Sequence, residues 1–196
     1  MKNIKKIVTI GGGTGTSMTL SGLKKYSKDI IDITAIVTMM DSGGSTGRLR
    51  DEFGYLPVGD VRMALAALSN APNEGDREIL RELFLHRFNK GEGLSGHNFG
   101  NLFLVALTDI LGSEEKAIEY AGEILNTSGE VLPVTASKAD LVAEYEDGKV
   151  VHSETNIDET PTSSDGTQYI KKLWLEPEVQ TTEKVKKVIE EADVIV

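Results

Sequence analysis

Residues 7–23, IVTIGGGTGTSMTLSGL, pass from a β-branched apolar run through three consecutive glycines into a segment with leucines at helical spacing. A strand that turns straight into a helix and is followed by a second apolar run, DITAIVTMM, needs a crossover connection. The two strands are therefore parallel and the chain is of the α/β class. The glycines narrow the chemistry too. Without a Cβ, the backbone of Gly11, Gly12, Gly13 and Gly15, with Thr14 among them, can take positive φ and let a phosphate close to the N–H groups and positive end of the helix. A plainer reading stands beside this one, in which the glycines only permit a tight turn. Thr16 occupies the place where the dinucleotide fingerprint G-x-G-x-x-G requires Gly or Ala, and no Walker lysine follows.

A second polar stretch begins with Asp41 at the end of the second strand, where dinucleotide folds set an acid against a ribose hydroxyl. Ser42, Gly43, Gly44 and then Ser45, Thr46, Gly47 and Arg48 suit a second anionic or polyhydroxyl group. Asp41 serves equally as the carboxylate of a Mg²⁺ held beside phosphates, or as the acceptor of an Asx turn; one carboxylate is a thin basis for a metal site, and no metal ligands are assigned. In SGHNFGN, His97, Asn98 and Asn101 stand at the entrance of an apolar helix, where Asn can read a base edge or sugar hydroxyls through both donor and acceptor. Alternatively Asn98 only caps that helix and His97 is a surface residue. Asp60 and Arg62 in PVGDVRMAL adjoin the same region, and an N-cap role also accounts for Asp60. His86 and His152 read as structural. No G-x-S-x-G elbow and no evident nucleophile–base pair is present, so these residues describe a ligand cradle more clearly than a reaction.

Along the rest of the chain, residues 41–60 read as a polar glycine-rich loop, and DREILRELFLHRF places Ile79, Leu80, Leu83, Phe84 and Phe88 on one helical face. LFLVALTDILG is apolar nearly all round and reads as a buried helix, and Ser113 caps the next one. Asp147-Gly148 predicts an antiparallel hairpin excursion near residues 139–155, followed by a loop, NIDETPTSSDGTQ, and a strand, IKKLWLEP. Val185, Val188, Ile189 and Ala192 form a helical stripe, after which VIV should be a parallel core strand. The whole reads as a single α/β nucleotide-binding domain over residues 1–196, truncated at the C-terminus where its own crevice begins. The chain has no cysteine, so disulfides and thiolate metal sites drop out. Its 31 acidic residues against 21 basic give a net charge of −10, which argues against nonspecific nucleic-acid or anionic-membrane binding. The first apolar run is far shorter than the ~20 residues a membrane span needs, and the protein reads as cytoplasmic, with no membrane insertion.

Taken together, IGGGTGTS, TMMDSGGSTGRLR with LPVGDVRMALAAL, and GHNFGN resemble the bacterial gluconeogenesis factors, relatives of the phospholactate transferase of deazaflavin cofactor synthesis. The resemblance runs through nearly the whole chain, which is similar to the N-terminal part of a longer member. It implies a Rossmann-like three-layer α/β sandwich and a UDP-sugar ligand such as UDP-N-acetylglucosamine. It also implies a regulatory role in growth on gluconeogenic carbon sources, cell shape and peptidoglycan synthesis, with proteins of cell-wall synthesis as partners. On it, residues 11–15 become a diphosphate turn, Asp41, Ser42, Gly43 and Gly44 a second ligand loop, and Asn98 and Asn101 further contacts. The alternative is a Mg²⁺-dependent phospholactate-type transferase with a nucleotide diphosphate donor. An NAD-dependent oxidoreductase rests on the glycine turn and Asp41 alone. Oligomeric state, a homo-oligomer included, is left open.

Overall fold

The computed structural model describes residues 4–26, 30–70, 74–160 and 169–196. Strand β1 (Lys5–Gly11) turns into helix α1 (Gly13–Leu23), which leads through a 3-10 turn at Lys24–Tyr26 to β2 (Ile31–Val37). Helices α2 (Gly44–Phe53), α3 (Gly59–Leu68), α4 (Glu74–Leu85), α5 (Phe99–Leu111) and α6 (Glu114–Ile124) precede β3 (Glu130–Pro133). Then come β4 (Asp140–Tyr145), β5 (Val150–His152), α7 (Glu154–Asp158), β6 (Ile170–Glu176), α8 (Glu183–Glu190) and β7 (Val194–Ile195).

The main sheet has the order β3-β2-β1-β7 with every pair parallel, β1 lying opposite β2 from Lys5–Ile31 through Gly11–Val37. Its two faces follow from the two-residue period of a strand. On β2, Ile31, Ile33, Ala35 and Val37 join the larger core with Leu20 of α1, Val61, Leu65 and Leu68 of α3, and Ile118 and Ala121 of α6. Ile36 points the other way, with Val8 and Leu132, and meets Val185 of α8. Helices thus cover both faces, giving the expected three-layer α/β fold. The predicted hairpin is β4–β5, with Gly148 at φ +83° in its turn, and β6 pairs antiparallel on the other side of β4 as a separate three-stranded sheet.

Several local expectations change. The stretch read as a loop contains α2, whose Leu49 is buried. Three glycines within or just before its first turn disguised a helix whose Ser45 and Thr46 hydroxyls are satisfied by α5 rather than by competing with its own backbone. Asp60 is not the cap of α3, because Val58 holds that position and Asp60 lies in the first turn with its side chain turned elsewhere. Helix α4 ends at Leu85, leaving Phe88 beyond it, and Ile79 and Leu83 are exposed while Phe84 is buried. Helix α5 is buried on one side only, with Ile110 77% exposed. The VIV run does form a parallel strand, yet Val194 and Ile195 are about half exposed, because β7 pairs with β1 alone at the sheet edge. The first three residues of the predicted loop, Asn156, Ile157 and Asp158, belong to α7, while 161–168 lie outside the described residues. Among the described residues, no helix is long and apolar enough to cross a membrane.

Candidate functional site

Two helices start side by side beyond the carboxyl ends of β1 and β2, the place where open parallel sheets take their ligands. Helix α1 begins at Gly13, whose φ of +63° selects glycine. Its N-cap, Gly12, makes no side-chain cap bond. A carboxylate comes in instead from α3: Asp60 accepts from the Gly13 N–H and from Thr38 Oγ1 at 3.2 Å. A Cβ at Gly12 would collide with Asp60 Oδ2, so this glycine is what lets the carboxylate approach. Burial pushes the Asp60 carboxyl up from its ordinary value, the Gly13 bond works against that, and the nearby charge of Asp41 adds to the rise.

Asp41 is the counterpart at the second helix. Its Oδ1 accepts from the Gly43 N–H at 2.9 Å, an Asx turn, and its Oδ2 packs on Gly59, where a Cβ would collide with it. Gly44 opens α2 at φ +49° and is exposed. The Ser42 hydroxyl accepts from the Thr155 N–H at 3.0 Å and lies 3.0 Å from Thr155 Oγ1, tying α7 to this loop.

The Asn residues face inward. Asn98 caps α5, its Oδ1 accepting from the N–H of Gly100 at 2.9 Å and of Asn101 at 3.4 Å, while its Nδ2 donates to the Leu85 carbonyl. Asn101 is 2% exposed; its Oδ1 accepts from Arg62 Nε at 2.9 Å and its Nδ2 donates to Thr46 Oγ1 at 3.2 Å and Ser45 Oγ at 3.4 Å. Ser45 Oγ also accepts the Asn98 N–H and stands 3.3 Å from His97 Nδ1. With two donors already directed at it, the Ser45 hydroxyl gives its own proton to Nδ1, which puts the imidazole proton on Nε2. Burial lowers the His97 pKa, with Arg48 next among the causes, in keeping with a neutral ring. The contact has nucleophile–base geometry, but Ser45 is 2% exposed and its lone pairs are engaged, so it serves as scaffold.

Sequence reasoning put Asp60 and Arg62 beside the site and Ser45 in its second loop, but missed the Asp60–Gly13, Arg62–Asn101 and Ser45–His97 contacts they make. The run GDVR held the only clue, two opposite charges at the start of an otherwise apolar helix. His86 and His152 stay outside the site: His86 sits edge-on to Phe88, and His152 lies 3.8 Å from Glu176. Among the described residues no group of three or more His, Asp or Glu side chains converges as a metal cage. A cavity of about 790 Å³ runs along β3 beside α6 and the start of α8 and contains none of these residues.

Residues 7–196 match the family model described as 2-phospho-L-lactate transferase CofD. The chain is 45% identical over 192 residues to the gluconeogenesis factor of Bacillus subtilis, covering 97% of this chain and 56% of that protein. It is 42% identical over 193 residues to the gluconeogenesis factor of Halalkalibacterium halodurans, covering 98% and 56%. A crystal structure of a Bacillus halodurans protein, 41% identical, superposes with a TM-score of 0.86 over 98% of this chain and 58% of its own. The chain therefore spans little more than half the length of these relatives.

Proposed function

This chain belongs to the CofD family, in the company of the gluconeogenesis factors, and from that premise we propose that it is a cytoplasmic regulatory protein that binds a nucleotide sugar of the UDP-N-acetylglucosamine type without turning it over. On this reading it links growth on gluconeogenic carbon to cell shape and peptidoglycan synthesis. The supporting observation is the pair of helix mouths beyond β1 and β2. The first-turn amides of α2 offer an anion-seeking position beside the start of α1, where Asp60 already takes the Gly13 N–H, while the Ser–His contact is closed off from any substrate. The test is a melting-temperature panel with UDP-N-acetylglucosamine, other UDP-sugars, GDP and NAD, each with and without Mg²⁺. A ligand at about a hundred times its Kd adds ~2.7 kcal/mol, or roughly 5–10 °C for a domain of this size. A shift confined to UDP-sugars, with no nucleotide released, supports the reading; the absence of any UDP-sugar shift removes it.

One observation favours a second reading, a Mg²⁺-dependent transferase. Asp41 and Asp60 each reach one of the two mouths, near enough for their charges to interact, and Mg²⁺ is characteristically held by one or two carboxylates together with substrate phosphates. Two hard oxygen donors fit that ion. Catalysis would then rest on positioning and charge stabilisation. Nucleotide release that requires Mg²⁺ and an acceptor, and is lost in Asp41→Ala, decides for it.

A further inference from the structure

The two helix mouths look alike in sequence but are surrounded by different charges. At α1 the Gly13 N–H is already bonded to Asp60, and that carboxylate stands where an incoming anion would have to sit. The glycines of the first motif thus make room for an acid. At α2 there is also one carboxylate, Asp41 on the Gly43 N–H, but two arginines accompany it. Arg87 Nη1 lies 3.9 Å from the position a Cβ on Gly44 would take, and it donates to the Gly96 carbonyl at 2.7 Å. Arg62 is only 9% exposed, with its stem packed on Gly100, where a Cβ would meet its Cγ and Cδ at 2.8 Å.

The guanidinium of Arg62 is the informative group. Its Nε is bonded to Asn101, the same residue that holds the first-turn hydroxyls of α2, while its Nη groups have no acceptor among the described residues. Arg87 presses a like charge on it, and of the two acids Asp41 counters that more strongly than Asp60. A largely buried arginine whose fork keeps open donors at the surface, beside a second arginine and the unpaired amides of a helix start, is the donor set that matches a phosphate.

We propose that the first turn of α2, flanked by Arg62 and Arg87, seats the ligand's phosphate or diphosphate, and that the glycine turn of α1 does not. Naming the phosphate's owner as a nucleotide sugar rests on the function proposed above; the position of the phosphate does not. Asp41 and the Gly43 N–H close one side of the seat. Arg87, on the exposed side, closes the other without supporting the core.

The test is an amide NMR titration of the 196-residue chain, first with inorganic pyrophosphate and then with UDP-N-acetylglucosamine, alongside Arg87→Gln and Arg87→Lys. The expected result is that pyrophosphate moves the Gly44, Ser45 and Thr46 amides. Arg87→Gln should weaken pyrophosphate binding by about tenfold with an unchanged melting temperature, and Arg87→Lys should retain part of the affinity because it keeps the charge and loses the fork. Shifts centred on Gly13, Thr14 and Gly15, or pyrophosphate affinity indifferent to Arg87→Gln, overturn the assignment. If UDP-N-acetylglucosamine binds with shifts only at α1, the seat is wrong and the nucleotide-sugar reading stands. If pyrophosphate binds at α2 and no UDP-sugar does, the seat stands and that reading falls. No response to either probe overturns both.

Discussion

Asn101→Ala separates a scaffold residue from a ligand contact. The side chain is buried and makes three contacts: it accepts from Arg62 Nε at 2.9 Å and donates to Thr46 Oγ1 at 3.2 Å and Ser45 Oγ at 3.4 Å. A hydrogen bond to a charged group contributes about 1.5–3 kcal/mol, and truncation leaves that guanidinium N–H buried without a partner. The two longer contacts to hydroxyls add less, since the Ser45 hydroxyl keeps its contacts with Asn98 and His97. The expected loss is about 2–4 kcal/mol, and at about 2–4 °C per kcal/mol for a domain of this size the melting temperature should fall by roughly 5–15 °C. Calorimetry at pH 7.5, with a urea titration whose slope stays constant, measures it. Asn101→Asp keeps an acceptor for Arg62 and should recover at least half of the loss. A loss below about 0.5 kcal/mol, within the range of ordinary surface changes, would refute the scaffold argument. Unchanged stability with lost UDP-sugar binding would make Asn101 a ligand contact.

Gly59→Ala should cost about 1–3 kcal/mol by overpacking, because its Cβ would collide with Asp41 Oδ2 and meet Thr46 Oγ1 at 2.6 Å; a thermal melt reads it. Gly13→Ala meets no atom within 4 Å but must hold φ +63°, so about 1–2 kcal/mol of backbone strain should appear in urea unfolding. Gly22→Ala, inside α1 with open space around it and no positive φ, should do the reverse and add about 0.5–1 kcal/mol. For His97 the folded pKa is lowered by burial, so below the unfolded value of about 6.5 the unfolded chain binds a proton that the native state refuses. Stability should fall as pH drops below that value. The fall in melting temperature between pH 7.5 and 5.5 should be smaller in His97→Gln than in the parent chain.

Where a signal is carried by neighbours in the chain, reading it in one dimension succeeds. The parallel β1–α1–β2 unit follows from the lengths and periods of apolar runs, and the β4–β5 hairpin from Asp147-Gly148, where a left-handed glycine completes the three-residue turn between Tyr145 and Lys149. Ser113 and Asn98 cap their helices because a cap bonds two or three residues onward. The stripe of Val185, Val188, Ile189 and Ala192 needs only the helical period. In these cases the partners lie within a few residues, so local stereochemistry is sufficient.

The candidate site is different, because its decisive pairings join residues from about 20 to more than 110 positions apart. Asp60 meets Thr38 and Gly13, Arg62 meets Asn101, Ser45 meets His97, and Ser42 meets Thr155. No period or propensity encodes such contacts, which arise only once α3 and α5 pack around the starts of α1 and α2. Helix α2 shows the same dependence: its glycine-rich first turn is a poor helix start by propensity, and the hydroxyl bonds to Asn101 and the buried Leu49 outweigh that. Residue types alone marked a polar cradle at the carboxyl end of a parallel sheet. Which glycine turn has a carboxylate alone beside it and which has arginines as well was decided by packing, since a charge acts through space on whatever the fold brings within a few ångströms of it.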